Sequence, residues 1–379
     1  MNVLEGSSDR SDAHLAIAEA TGHWDDDSTL GILFVFHSTR QDPHAVAAVL
    51  AQRFPDTLVV GATTAGEWTS SGHQQGSLAL LGICSPDIRW AVAVAEQLDQ
   101  FDAQDCAGMC SSLLGQLNIE FTDLHPERHF CLSFFDGMSK CEENTVSMVA
   151  TELDSIPLLG GSAGDDLQLK NTFVLVQGKA LQNAAIFVLA ESFVPFKTIK
   201  HQHFIPGDID TIISKANVPE RIVYRLDGMP AAERYAQLLG LNVKDLNTQV
   251  FSEHPLIYQY GKECYVRSIG QVGEDHSLIF SCAIEEGMIL NLCAHRDMAQ
   301  QLNHTLREMT DVLGNPALML ICNCVLRRLE SELAGNIQDL AKALNAASDH
   351  LIGFDSYGEQ WQGLHVNQTM VALALYEHE

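Results

Sequence analysis

Gly160-Gly161-Ser162-Ala163-Gly164 spells G-x-S-x-G, the turn that presents a nucleophilic serine in many hydrolases. That chemistry needs the serine at a strand-to-helix elbow, with a histidine base in reach. Here DDLQLKNTFVLV follows, which reads as loop and then strand, so Ser162 reads as a turn serine. Serine hydrolysis through Ser162 is kept as a secondary alternative. The same segment, closed by Asp165, is a shortened copy of a recurring pattern. The full copies are Gly61-Ala-Thr-Thr-Ala-Gly66-Glu67 and Gly353-Phe-Asp-Ser-Tyr-Gly358-Glu359. Glycines there serve positive φ or a close backbone approach, and the acid can accept hydrogen bonds from turn N–H groups. A phosphate loop is not indicated. The Lys-Ser/Thr of a P-loop is absent, and strands rather than a helix follow each turn. Recurrence makes the turns architectural first, with ligand contact grafted on at most one or two.

Each turn closes a strand–helix–strand unit. Unit one opens with the apolar run 31–38. Asp42-Pro43 follows as helix cap and first helical residue, then Val46, Val49, Leu50 and Phe54 as one apolar helical face. The strand of GATTAGE comes next. SLALLGI and IRWAVAVAE read as two strands in a hairpin-like connection through Ser85-Pro86-Asp87. Unit two runs from the strand 129–137 through a capping box, Ser139 with Glu142. Its helix face is Val146, Val149, Ala150 and Leu153, and a hairpin around Gly178 ends it. Unit three has the strand 317–326, one helix carrying Leu333, Ile337, Leu340 and Leu344, then GFDSYGEQ and a closing strand. Between units two and three lies a different segment. In it RIVYRL reads as a strand, Asp227-Gly228 as a turn, Pro230 as a helix start, Gly240 as its end and 268–290 as a β meander. The fold class is α/β, more fully mixed α+β: two domains of repeated β-α-β-turn-β units with mixed and antiparallel sheets. The expected division is 1–29 as an N-terminal extension with a short helix, 30–194, and 195–379.

The formal charge of −27, from 22 basic and 49 acidic residues, opposes nucleic-acid backbones and anionic membrane surfaces as partners. No apolar run reaches the roughly 18 residues of a membrane span. The start lacks the basic and apolar regions of a secretory signal, so a cytoplasmic location is expected. The 10 cysteines then read as reduced thiols. Cys106/Cys110 and Cys322/Cys324 are close pairs without C-x-x-C spacing, a weak zinc signal. There is no C-x-x-C-H for covalent haem.

From about residue 30 onward the chain resembles the FIST domain pair of signalling proteins. The N-terminal half is carried by GATTAGEW, FFDGMSKCEE and GGSAGDDLQLKNTFVLVQGKALQNAAIFVLA. The C-terminal half is carried by VYRLDGMPAAERYAQLLGL, RSIGQVGEDHSLIFSCAIEEGMIL and GFDSYGEQWQGLHVNQTMVALAL. The resemblance implies a sensor without an enzymatic centre. Within the family the chain is similar to a standalone subgroup that binds non-covalent haem b and senses nitric oxide. That subgroup signals to a separate histidine kinase or a cyclic-di-GMP synthase or phosphodiesterase. A homodimer is compatible with this reading.

The segment carrying that finer resemblance is Phe196-Lys197-Thr-Ile-Lys200-His201-Gln202-His203-Phe204. It implies His203 as the iron ligand, with His201 as the other candidate. If the stretch is extended, both imidazoles share one face. Phe204 and Phe196 would line the haem pocket, and Lys197 and Lys200 would meet its propionates. A neutral imidazole ligates iron through one nitrogen while the other donates a hydrogen bond. His365 reads as structural. The alternative within the family is a sensor for an amino acid or similar small ligand, without haem.

Overall fold

The structure, a computed structural model, describes residues 1–24, 30–154, 156–261 and 263–377. Residues 25–29 of the expected extension, and 378–379 at the end of the expected second domain, lie outside the described residues. The architecture is the expected mixed α+β, and its repeat is more complete than the sequence pattern suggested. Three six-stranded sheets share one strand order and one set of directions. In the first, Ile32–His37 and Leu58–Thr63 run parallel, joined by the helix Pro43–Arg53. Leu78–Cys84 and then Asn2–Ser8 add antiparallel strands on one side. The hairpin Val174–Val176 and Lys179–Leu181 adds two on the other. The second sheet repeats this with His129–Phe135 beside Leu158–Ser162, and the third with Leu318–Cys324 beside His350–Ser356.

Each hairpin that completes a sheet comes from another unit. Unit one's Glu67–Thr69 and Gly72–Gln74 join the third sheet. Unit three's Glu359–Trp361 and Leu364–Val366 join the second. Unit two's hairpin joins the first. The exchange closes in a circle, a pseudo-threefold arrangement in which the units hold one another. A central core collects apolar side chains from all three sheets, with Phe36, Phe134 and Phe354 in mutual contact. Helices cover each outer face and bury separate clusters.

Several local expectations are corrected. Leu78–Cys84 and Ile88–Glu96 form no hairpin: Ser85-Pro86-Asp87 carries the chain from the first sheet to the edge of the second. The stretch expected as an extension holds the helix Ala13–Ala20, capped by Asp12, and also the edge strand of the first sheet. Unit one therefore begins at residue 2. Ser139 and Glu142 form no capping box. Cys141 precedes the helix Glu142–Glu152 without a side-chain cap, and Glu142 pairs with Arg221 instead. The single helix expected in unit three is two, Val325–Leu333 and Ile337–Ala346, interrupted at Gly335 with φ +69°. Leu333 is exposed there rather than part of a common face.

Residues 204–295, inserted between the first strand and first helix of unit three, build a fourth sheet with its own core. The chain leaves the third sheet at Phe196–His201 and enters the fourth at Phe204. It returns at His295, paired with Phe204, to the helix Met298–Leu313.

The first glycine of each turn now has a cause. Gly61, Gly160 and Gly353 lie in parallel strands where a Cβ would sit 1.7, 1.9 and 2.3 Å from the carbonyl oxygens of Val35, Ser133 and Ile321. Gly61→Ala is expected to lower stability by about 3 kcal/mol or more, because overpacking against rigid backbone cannot relax. Gly108→Ala, in the helix Ala103–Leu117 with nothing within 4 Å of the new methyl, is expected to raise it by about 0.5–1 kcal/mol. Urea unfolding of both variants checks the contrast.

Candidate functional site

The three turns meet at the centre of the ring. Ala65 N–H donates to the Asp355 carbonyl (3.1 Å), Tyr357 N–H to Ser162 (3.0 Å) and Gly164 N–H to Thr63 (2.8 Å). Register identifies the third acid. Gly61, Gly160 and Gly353 occupy equivalent positions, so Asp166 rather than Asp165 stands where Glu67 and Glu359 do. Glu67 and Glu359 repeat one contact: Glu67 accepts from the N–H and hydroxyl of Ser77 and Glu359 from those of Thr369, whereas Asp166 accepts from the N–H and hydroxyl of Thr39 in unit one. Glu67 and Glu359 are fully buried, and burial raises each to about 7. These are staples rather than reacting groups. Ser162 is the last residue of a strand, not of an elbow, and its Oγ accepts from the Gln360 amide at 3.0 Å.

An apolar hollow lies beside this centre. About 630 Å³ in volume, it is bounded by unit two, unit three and the inserted domain. Unit two supplies Met138, Glu142, Leu167 and Leu169. Unit three supplies Val325, Leu326, Leu329 and Tyr357. The inserted domain supplies Arg221, Ile279 and Phe280. Ligand hollows of α/β proteins favour such strand-end clefts, in a range of roughly 300–1,000 Å³.

The charges around the cleft are paired. Arg221 bonds Glu142 at 3.0 Å and Glu143 at 2.6 Å, and Lys140 bonds Glu220 at 3.0 Å. Asn367 also lines it, with its Oδ1 buried and without a hydrogen-bond partner among the described residues. The loop after Ser162 forms one lip. Asp165 accepts from the backbone N–H groups of Leu169, Lys170 and Asn171, and the Tyr357 hydroxyl accepts from that of Leu167 while donating to Asp165. This bracing holds Asp166, Leu167 and Leu169 at φ of 54°, 65° and 54°. Left-handed backbone is a strained choice for leucine, and such strain persists only where surroundings over-determine it. Both leucines are left exposed at the cleft.

The histidine segment lies elsewhere. The strand ends at His201, and Gln202 and His203 are the crossing into the inserted domain. His203 is 1% exposed, with Nε2 2.8 Å from Glu330 and Nδ1 3.2 Å from Arg327. Both ring nitrogens are thus engaged, and the residues as arranged do not fit iron ligation at His203. His201, 2% exposed, has no hydrogen-bond partner on either nitrogen among the described residues. Burial, with Arg327 and His203 adding to it, holds it well below the usual histidine range. Phe204 stacks on His203 at 4.0 Å, whereas Phe196 packs on Phe130 in the central core, so the two do not line one pocket. Lys200 is committed to Glu263 and the face of Tyr265. His365 is buried against Gly358. Cys106 and Cys110 face the core of unit two, and burial drives the Cys322 and Cys324 thiols far up. No cluster of three metal-ligating side chains occurs among the described residues.

Residues 29–229 match the FIST N domain and residues 231–362 the FIST C domain. The chain belongs to the FIST family. These are sensory, small-ligand-binding domains. The chain is also similar to an uncharacterized protein of Methanocaldococcus jannaschii, 26% identical over 254 residues. That match covers 60% of this chain and 49% of the relative, so the chain spans about half the length of the relative it matches. No helix among the described residues is long and apolar enough to cross a membrane.

Arg221, Tyr357 and the helix Val325–Leu333 were not singled out from the sequence. Each gains its position through contacts across units or domains, which local spacing does not encode. The Leu167/Leu169 pair lay in DDLQLKN, where loop residues with alternating apolar character were the one available sign.

The buried acids give a pH signature. The fold favours the protonated form of Glu359. Its contribution is fully present below the ordinary carboxylate range and is lost as pH rises through about 7. Glu359→Gln keeps the geometry of the protonated acid. Relative to the parent, the variant is expected to gain on the order of 3 kcal/mol between pH 5 and pH 8. Urea unfolding of both proteins at the two pH values measures it. An unchanged difference would mean Glu359 stays ionised in the fold.

Proposed function

We propose that this FIST protein senses a small, largely apolar ligand that is net neutral or cationic, held in the cleft between the three-sheet body and the inserted domain. The observation carrying this reading is the composition of the cleft: aliphatic walls of Ile279, Leu326, Leu329, Leu167 and Leu169, with every charge at its margin already paired. An anionic head with no ammonium of its own beside it would meet Glu142 and Glu220 without an unpaired cation to receive it, and burying an unpaired charge is costly. An N–H donor, by contrast, would satisfy Asn367 Oδ1. Apolar amino acids and amines fit that description. The signalling output to a histidine kinase or cyclic-di-GMP enzyme belongs to the same proposal and rests on the family resemblance. Haem with nitric oxide as its ligand is the competing reading, and the engagement of both His203 nitrogens weighs against it.

The test is thermal stability against size-matched panels of apolar amino acids, amines and carboxylates. A ligand at a hundredfold excess over Kd stabilises by about 2.7 kcal/mol. Amino acids or amines are expected to raise Tm, carboxylates are not, and Leu326→Trp, which occupies the cleft, is expected to remove the effect. A parallel titration with ferric haem decides the competitor. A haem Soret band that is lost in His203→Ala would overturn the apolar-ligand reading.

A further inference from the structure

The inserted domain is tied to the body by two adjacent crossings, His203-Phe204 and His295-Arg296. They are bonded to each other by Arg296 N–H to the His203 carbonyl at 3.0 Å and by the Phe204–His295 strand pair. Elsewhere the two parts meet around the apolar cleft, where the helix Thr248–Glu253 packs on the helix Val325–Leu333, and across polar groups, Arg221 with Glu142 and Glu143, and Ser268 with Gln368. Polar contacts around a narrow connection are the usual architecture of a domain that moves. The helix Val325–Leu333 touches every part of this device.

Its successive side chains separate by face. Leu326 and Leu329 line the cleft. One position on, Arg327 and Glu330 grip the two ring nitrogens of His203 at 3.2 and 2.8 Å. One further position on, Arg328 donates to the Ala65 carbonyl at 2.7 Å and Ser331 packs on Met298. Residues three apart share a helix face, so the three pairs form three faces of one nine-residue rod. Arg327 is anchored in turn. Its Nε bonds Asn323 at 3.0 Å, and Asn323 bonds Asp355, which also takes Trp68 Nε1 and His73 from unit one. Arg327 and Asp355 are buried, so a displacement of the helix cannot be absorbed by solvent.

We propose that the helix Val325–Leu333 couples the cleft to the connector. A ligand that bridges Leu326 and Leu329 to Ile279 and Phe280 draws the inserted domain onto the body, and the Arg327–His203–Glu330 grip makes the connector the hinge of that motion. His203 is a positioning residue in this device. The inference rests on reading the cleft as the ligand site, and its test uses no ligand, so the two fail separately.

The experiment is hydrogen exchange on the full chain, comparing the parent with Leu326→Trp, in which the indole stands in for an apolar ligand. The indole is expected to brace the cleft and slow exchange in peptides spanning 201–206 and 293–297 by about fivefold or more, the lower end of an allosteric coupling. Adding Glu330→Gln is expected to speed connector exchange and to abolish its response to Leu326→Trp. If Leu326→Trp does not fold, Leu329→Phe makes the same comparison. An unchanged connector beside an indole whose fluorescence reports burial overturns the proposal. So does a response that persists undiminished in the Glu330→Gln background.

Discussion

Three backbone hydrogen bonds, Ala65 to Asp355, Tyr357 to Ser162 and Gly164 to Thr63, close a ring at the centre of the molecule. Everything else depends on that closure. Passing each hairpin to a neighbour commits the three units to fold together. The glycines pay no steric penalty where parallel carbonyls crowd them, and the buried acids fasten the hairpins from inside. Chemistry that the turns suggested as isolated motifs is therefore consumed by architecture.

Much of the local structure was legible. The strand 32–37, the Asp42 cap, the hairpin at Gly178, the turn at Asp227-Gly228 and the helix stop at Gly240 follow from apolar periodicity and from backbone conformations few residues tolerate. Pairing was not legible, because alternation reports which face of a strand is buried and not which strand lies beside it. Ser85-Pro86-Asp87 satisfies a hairpin and a sheet-to-sheet crossing equally well. Glu142 carries the spacing of a capping box, yet a guanidinium 79 residues away claims it. Asp166 was passed over for Asp165, because only strand register distinguishes two neighbouring acids.

The site was less legible than the fold for the same reason. The H-x-H segment looked like a ligand set because imidazoles bind metals. In the structure His203 spends both nitrogens on one helix, and its value lies in where the chain crosses between bodies. The cleft, conversely, is assembled from side chains in three bodies, none of which forms a motif. Its paired charges and strained leucine lip are properties of the assembled fold.

Methyl NMR of the isoleucine- and leucine-labelled protein, titrated with the apolar amine or amino acid that most raises its Tm, tests the central claim most directly. The account predicts that Ile279, Leu326 and Leu329 shift first and saturate together, with smaller changes at Ile257 beside Phe204 in the inserted domain. Saturating shifts confined to methyls remote from the cleft, with those three unmoved, would contradict it.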